Sequence, residues 1–283
     1  MEKKLLVFGH GYTARALTRV LAPQGWQVIG TTRGPEGPGE GADLRIWPGS
    51  DMGEALSQAS HLLISIAPDD AGDPVLNALK DDIAQNAPAL EWVGYLSTTG
   101  VYGDHDGGWV DEDTPLNPAT KRGALRVAAE AQWQAFARET GLPLHIFRLA
   151  GIYGPGRGPF AKVRRGTARR IIKPNQVFSR THVEDIAQVL ATSMAQPNPG
   201  RVYNVCDDLA APPEDVLGFA AELLGIEPPA PEDFSTAEMS AMARSFYAES
   251  KRVRNDRIKS ELNVRLRYPT YVEGLRALLE KEG

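Results

Sequence analysis

A glycine-rich turn near the N-terminus points most directly to chemistry. It follows the apolar segment 5–8 and reads Gly9-His10-Gly11-Tyr12-Thr13-Ala14. In a G-x-G-x-x-A turn the first glycine allows a tight bend, the second admits a pyrophosphate, and the alanine lets the next helix pack closely. The free amides at the N-terminus of that helix attract phosphate. The six residues are therefore predicted to bind a dinucleotide cofactor.

The end of the next predicted strand indicates which dinucleotide. Sites for NAD usually place an acid there to bind the ribose 2′-hydroxyl, whereas this chain has Thr32 and Arg33. A guanidinium matches the 2′-phosphate of NADP. The sequence thus predicts NADP, with NAD as the alternative. Other residues predicted to flank the cofactor are Ala67, Pro68 and Ser97.

Apolar runs alternate with helical periodicity through the first 205 residues. Several are continuous Val/Ile/Leu runs, which is typical of parallel strands covered on both faces. Strands are predicted at Lys4–Gly9, Gln27–Thr32, Ala42–Ile46, His61–Ile66, Glu91–Ser97, Leu144–Leu149 and Arg201–Val205. Helices are predicted at Thr13–Ala22, Pro74–Asn86, Thr120–Glu139 and Tyr271–Glu280. This alternation indicates an α/β fold with a doubly wound parallel sheet of the Rossmann type.

The same pattern predicts two units. Residues 1–153 and 180–206 would form the Rossmann domain, and residues 154–179 and 207–283 a small C-terminal substrate lobe. A ligand cleft is expected between them, because ligands of such folds bind at the carboxyl ends of the strands.

Four further motifs carry a family resemblance. They are a Ser/Thr-rich strand end before Val-Tyr-Gly (97–103), Arg-x-x-x-x-Tyr-Gly-Pro-Gly (148–156), His-Val-x-Asp (182–185), and a C-terminal stretch with Arg252, Leu262 and Tyr268. With the glycine turn, they resemble the extended short-chain dehydrogenase/reductases of the epimerase/dehydratase group over nearly the whole chain. The resemblance implies a nicotinamide cofactor and places the contact with the reacting oxygen on Thr98.

The Tyr-x-x-x-Lys signature of that family is absent. Aligning Pro118 and Glu130 with the family puts Arg122 at the tyrosine position and Arg126 at the lysine position. Arginine stays protonated in proteins, so Arg122 cannot act as a general base, while Arg126 can still donate to the cofactor ribose. The alternative is that Arg126 pairs with Glu130 and Arg122 is solvated. The chain therefore resembles an atypical member of the family.

The missing tyrosine leaves three interpretations open. The acid–base role has moved to Tyr102, Tyr153 or His182, which lie in motifs that line the family's cleft. Or the reaction needs no protein proton donor beyond Thr98 and water. Or the protein binds NADP without turnover, as a redox sensor or regulator. An enzyme would keep an open substrate cleft, whereas a sensor would have a closed or vacant one.

A run of cations between residues 155 and 183 contrasts with the acidic remainder of the chain. Its members are Arg157, Lys162, Arg164, Arg165, Arg169, Arg170, Lys173 and Arg180. Because arginine binds phosphate and carboxylate groups through paired hydrogen bonds, a small anionic or nucleotide-linked substrate is expected. Tyr153, Arg164 and Arg165 are the predicted ligands. A solvated face or a subunit contact is the alternative.

Composition bears on which partners, metal sites and membrane segments the chain could have. A net charge of −5 argues against nucleic acid as a partner. One cysteine and five histidines without ligand spacing predict neither an internal disulfide nor a metal site. No apolar stretch approaches the ~20 residues that cross a bilayer. We therefore expect a cytoplasmic protein with a small-molecule substrate and no membrane partner, and with a homodimer as one option.

Overall fold

The computed structural model describes residues 3–34 and 39–282. The strands in these ranges are β1 (Lys4–Phe8), β2 (Gln27–Thr32), β3 (Asp43–Ile46), β4 (His61–Ile64), β5 (Trp92–Thr98), β6 (Trp109–Val110), β7 (Leu144–Leu149), β8 (Gly151–Tyr153), β9 (Arg170–Ile172), β10 (Arg180–His182), β11 (Val202–Val205), β12 (Pro231–Asp233) and β13 (Arg252–Val253). The helices are α1 (Tyr12–Leu21), α2 (Gly53–Gln58), α3 (Pro74–Asn86), α4 (Lys121–Thr140), α5 (Phe160–Arg164), α6 (Val183–Ala195), α7 (Pro213–Leu223), α8 (Ala241–Phe246), α9 (Asp256–Leu262) and α10 (Tyr271–Glu282). No helix in the described ranges has both the length and the apolar character to span a membrane.

Seven strands form one parallel sheet in the order β11-β7-β5-β4-β1-β2-β3. The chain begins in the middle of the sheet, builds outward through β2 and β3, and then crosses to β4 on the other side. This order is that of the Rossmann fold, whose ligands bind where the direction of winding reverses. The predicted fold class is confirmed.

Alternation along the strands builds two apolar layers, one on each face of the sheet. Leu5 and Val7 of β1 belong to the core beneath α1 and α6. Leu6 and Phe8 belong to the opposite core, which also contains Trp133 of α4. Successive side chains of a strand point to opposite faces, so a continuous apolar run is buried on both. The two cores cover the faces of the sheet, and the predicted site residues lie at the carboxyl ends of its strands.

A smaller apolar core builds the lobe. It is formed by α5, α7 and α10, and includes Phe160, Val216, Ala220, Leu275 and Leu278. The short pair β9 and β12 extends it. This core contains segments from both parts of the chain predicted for the lobe.

One segment of the predicted lobe packs on the main domain instead. Ile258 and Leu262 of α9 are buried in the core beneath α1 and α6, as is Val264 just after the helix. Residues four apart on a helix share a face, so the two helical side chains bury together. Residues 256–264, which the predicted division assigns to the lobe, therefore pack on the core of the main sheet.

Candidate cofactor and substrate site

The turn after β1 requires glycine at its first position. Gly9 has φ +91°, and a Cβ placed on it would lie 2.9 Å from the Ile66 side chain. Its N–H donates to Thr31 Oγ1 at 2.9 Å, which ties the turn to β2. The bend is therefore fixed by conformation and by close approach to the segment after β4.

Gly11, the next glycine, faces open space. A Cβ on it would find no atom nearer than the Gly9 carbonyl oxygen, at 3.9 Å. Gly11 is the N-cap of α1, and neither a side-chain cap nor an acid in the first turn satisfies the amides there. By contrast, Asp73 caps α3 through its carboxylate. The first turn of α1 thus offers unpaired N–H groups and a positive dipole end to an anion.

Three residues of the turn support it from beneath. Thr13 and Ala14 are buried against the sheet. His10 is buried too, with its Nε2 2.9 Å from Thr18 Oγ1, and burial lowers its pKa. Gly30 of β2, which no predicted motif singles out, also supports the turn, because a Cβ there would lie 2.7 Å from the His10 side chain. Its signal is a glycine inside an apolar strand.

Tyr12 connects the turn to the lobe. Its hydroxyl donates to the Pro155 carbonyl at 3.0 Å, and the Arg157 guanidinium lies 5.7 Å from its ring centre. A Cβ on Gly154 would lie only 2.6 Å from the Tyr12 hydroxyl. The start of α1 and the 154–157 loop are therefore in direct contact.

The other predicted cofactor residues of the sheet edge lie around this turn. Arg33 is exposed directly after β2, and the Thr32 hydroxyl donates to the Gly34 carbonyl at 2.5 Å. Exposed Ala67 and half-buried Pro68 follow Ile66, which contacts the Gly9 turn. The structure brings these segments to one edge of the sheet.

Thr98 ends β5 at the same edge. It is half-buried, and its Oγ1 accepts from the Gly100 N–H at 3.2 Å, which caps the short helical turn 99–102. A threonine hydroxyl that accepts in this way keeps its own hydrogen available. Thr98 can therefore donate one hydrogen bond into the cleft.

The two arginines of α4 have different partners. Arg126 Nη1 donates to the Leu96 carbonyl at 2.6 Å and to the Tyr95 hydroxyl at 3.1 Å. Arg122 is exposed, and its guanidinium lies 5.9 Å from the ring centre of Phe246 on α8. Arg126 is thus fixed beside β5, while Arg122 reaches from the main domain to the lobe. A pair between Arg126 and Glu130 is not formed, because Glu130 binds elsewhere.

Glu130 belongs to a buried network under the cleft. It accepts from the Ser97 hydroxyl and forms an ion pair with Arg148 at 2.8 Å. Arg148 also donates to the Tyr102 hydroxyl at 2.9 Å, and Tyr102 donates to Asn204 at 2.7 Å. Burial raises the pKa of Tyr102 to about 12. The network occupies the polar groups of Ser97 and Tyr102, which leaves neither free for the cleft.

Tyr153 and His182 are likewise engaged inside the protein. The buried Tyr153 hydroxyl lies 3.4 Å from the Thr270 carbonyl, and burial raises its pKa. His182 Nδ1 accepts from the Glu184 N–H at 3.2 Å and caps α6. Burial lowers the pKa of His182 to about 4. A neutral, capping histidine and a buried phenol are structural groups in this arrangement.

The lobe contains a cavity of about 600 Å³, called the lobe cavity below, whose wall includes Lys162, Arg169, Ile171, Arg180, Glu214 and Tyr247. Three of the eight cations of the basic run lie on it. The predicted pair Arg164 and Arg165 does not. Arg165 Nε donates to the Ala161 carbonyl at 3.0 Å, and Arg164 lies 5.7 Å from the ring centre of Phe160.

The three cations of the lobe cavity differ in their availability. Arg169 is neutralised by an ion pair with Glu232. Arg180 is fixed by donating to the Phe178 and Ala211 carbonyls at 2.8 and 3.0 Å, and burial lowers its pKa. Lys162 is exposed and has no ion pair within the described ranges. Lys162 and Arg180 therefore remain available to an anion.

Comparison with known proteins shows the family. A structure of a conserved protein from Silicibacter pomeroyi DSS, described as functionally unknown, is 62% identical over 99% of both chains, with a TM-score of 0.93. Protein YeeZ of Escherichia coli K12 is 32% identical over 80% of this chain and 86% of its own. UDP-glucuronic acid 4-epimerase from Bacillus cereus, solved with UDP-glucuronic acid and NAD, shares the fold at 16% identity, with a TM-score of 0.78 over 99% of this chain and 100% of that one.

The sequence pattern of a whole family also matches. The model of the NAD dependent epimerase/dehydratase family aligns with residues 5–206, which run from β1 to the end of β11. The match covers the glycine turn, the Thr98 strand end and the Arg148 segment. The chain therefore belongs to the NAD dependent epimerase/dehydratase family.

Proposed function

We propose that the protein is an NADP-dependent oxidoreductase or epimerase/dehydratase-like enzyme that acts on a small anionic, nucleotide-linked substrate. The observation that carries this proposal is the uncapped N-terminus of α1, open at Gly11, at the sheet edge that also holds Thr98. An anion site, a hydroxyl donor and a substrate-sized cavity in the adjacent lobe are the parts that such an enzyme needs.

The residues fit a nicotinamide dinucleotide. Gly11 leaves room for a pyrophosphate beside the free amides of α1, and a Cβ would fill that room. Arg33 lies where the adenosine ribose is bound in this fold and would pair with a 2′-phosphate. The Bacillus cereus epimerase structure contains NAD, which supports a cofactor of this class. Such a cofactor supplies hydride acceptance and return.

The chain's own groups would handle charge and orientation. Thr98 donates a hydrogen bond to the reacting oxygen of the substrate. Arg122 remains a cation, so it stabilises negative charge that develops there and cannot take up a proton. Arg126, held on the Leu96 carbonyl, keeps the end of β5 in place. Proton exchange then occurs with water at the open side of the cleft.

The lobe cavity would hold the remote part of the substrate. Lys162 and Arg180 are the two available cations on its wall, so we assign the anionic group to them in place of Arg164 and Arg165. The Bacillus cereus enzyme was solved with UDP-glucuronic acid, which supports a nucleotide-linked substrate. Arg122 lies over Phe246, and Phe246 precedes the cavity residue Tyr247, which supports the proposal that the reacting centre adjoins the cavity.

A combined binding and turnover experiment tests the proposal. Calorimetric titration with NADPH, NADP, NADH and NAD should show the phosphorylated forms binding at least about tenfold more tightly. UDP-glucose and UDP-glucuronic acid are then supplied with the cofactor, and sugar products are separated by chromatography. Conversion by the wild type, lost in Thr98→Val with cofactor binding intact, is the expected result. Tight cofactor binding without conversion of either UDP-sugar would favour the regulator over the enzyme.

Arg33→Asp isolates the cofactor preference. The substitution should weaken NADPH binding by at least about tenfold while NADH binding stays within a factor of about three, because only NADPH carries the 2′-phosphate. Arg138→Asp makes the same charge change at an exposed position on α4 and serves as the control. Calorimetry measures the affinities of the wild type and of both variants for NADPH and NADH. Equal losses for both cofactors would remove Arg33 from the site.

A further inference from the structure

Glu214 is a charged group of the lobe cavity that the proposed function does not use. It lies in the first turn of α7, and its Oε2 atom is buried without a hydrogen-bond partner in the described part of the chain. Buried carboxylate oxygens almost always have a partner, because an unmet one costs free energy. An exception on a cavity wall indicates that the missing partner belongs to a ligand.

Arg180 lies on the same wall, yet the two opposite charges do not meet. Within the described ranges, no Glu214 oxygen lies within 4.0 Å of an Arg180 guanidinium nitrogen. The carbonyls of Phe178 and Ala211 hold the guanidinium, and α7 holds Glu214. Arg180 is therefore in place before a ligand arrives. The Glu214 carboxylate, whose Oε2 has no partner to hold it in the described ranges, is left to turn toward a ligand that contacts both.

The surroundings of Glu214 define what kind of donor fits. Burial raises the pKa of its carboxyl group, and the charges of Arg170 and Arg180 oppose that rise. With these arginines nearby, a ligand cation would meet like charge and gain little. A neutral hydroxyl or N–H group can donate to Glu214 without that repulsion. The ligand thus combines an anionic part with a neutral donor.

We propose that Glu214 makes the lobe cavity selective for a nucleotide over a simple phosphate, by accepting a hydrogen bond from a ribose hydroxyl or a base N–H while Arg180 binds the anionic part. This inference rests on the proposed function, since it names the part of the nucleotide-linked substrate that the cavity recognises. Ile171, Val216 and Leu217 supply the apolar wall against which a base or sugar packs.

The test compares two anions that differ in having the neutral donor. Calorimetry measures UDP and inorganic pyrophosphate binding to the wild type and to Glu214→Ala, because a glutamine would keep a carbonyl oxygen that still accepts a hydrogen bond. The wild type should prefer UDP, and the substitution should lower the ratio of the two affinities by at least about tenfold. Pyrophosphate binding should stay level or tighten, because the substitution removes a negative charge from the wall. A purely electrostatic role would shift both ligands in the same direction.

Two further ligands identify the donor. If the ribose 2′-hydroxyl donates, 2′-deoxyuridine diphosphate binds the wild type more weakly than UDP, and Glu214→Ala removes the difference. If the base N3–H donates, CDP shows that behaviour, since its N3 carries no hydrogen. Both results support the proposal and differ only in the source of the donor.

Two controls accompany these binding measurements: the melting temperature of each variant, and a charge removal at the neighbouring Asp215. Glu214→Gln and Glu214→Ala should leave the melting temperature level or higher, because the Oε2 atom of the carboxylate has no partner in the described part of the free protein. Asp215→Asn, which removes the same charge at an exposed neighbour, should leave the affinity ratio unchanged. An unchanged ratio in Glu214→Ala overturns this inference alone. No binding of UDP by the wild type overturns the proposed substrate class as well.

Discussion

Gly11→Asp should abolish cofactor binding without loss of stability. The glycine has φ −91° and ψ −157° at the N-cap of α1, a conformation that aspartate adopts readily. A Cβ there meets nothing within 3.4 Å, so the new side chain fits. It would cap the amides that we assign to the pyrophosphate and add a negative charge beside them. We expect NADPH affinity to fall at least about 100-fold, or about 2.8 kcal/mol, with an unchanged or higher melting temperature.

Two variants bracket that result. Gly218→Asp introduces the same side chain where a Cβ also meets no atom within 4 Å, on α7 in the lobe, and should leave NADPH binding unchanged. Gly9→Ala should lower both stability and binding, because Gly9 has positive φ and no room for a Cβ beside Ile66. Retention of NADPH binding by Gly11→Asp would contradict the anion site at the N-terminus of α1, on which the proposed function rests.

Glu130→Ala should strongly destabilise the folded protein. Glu130 and Arg148 are 2% and 5% exposed, and removal of the acid leaves the arginine charge buried without its partner. Breaking a buried pair in this way costs about 3–5 kcal/mol. Urea unfolding, followed by circular dichroism, measures the free energy of unfolding. The Ser97 hydroxyl also loses its acceptor, which adds to the loss.

The same helix provides the control. Glu139 of α4 forms an exposed pair with Lys80 at 3.7 Å, so Glu139→Ala should change stability by less than about 1 kcal/mol. The double variant Glu130→Leu with Arg148→Met should recover much of the loss, because it removes both buried charges together. If Glu130→Ala lowers the free energy of unfolding no more than Glu139→Ala does, the buried Glu130–Arg148 network does not stabilise the fold.

The sequence predicted elements better than it predicted side-chain roles. Strands such as Gln27–Thr32 and Leu144–Leu149 coincide with the structure, because continuous apolar runs bounded by turn residues have few other solutions. Tyr102 shows how a side-chain role can be mispredicted. Its place in a cleft motif favours a catalytic role, yet its hydroxyl lies between Arg148 and Asn204, which are paired across β7 and β11 and are far apart in the sequence. No local pattern reports a contact of that kind.

The basic run shows the same limit at the substrate end. Its composition indicates an anion site, but periodicity alone does not say which of eight cations face the cavity. Packing of Phe160 and Val163 into the lobe core orients α5, so Lys162 lies on the cavity wall while Arg164 and Arg165 do not. Glu214, fifty residues beyond α5, carries no sequence signal beyond its position near the start of a helix.

By itself, the sequence determined the Rossmann fold, the glycine turn and the position of Arg33 at the end of β2, and it predicted that arginines replace the Tyr-x-x-x-Lys pair. These features are local, since they depend on backbone conformation, strand pattern and residue type within a few positions. Tertiary structure alone decided that α9 packs on the main core, that Ser97 and Tyr102 are engaged below the cleft, and that Glu214 and Arg180 share a wall. The physical reason is that burial and hydrogen-bond partners depend on contacts between segments far apart in the chain.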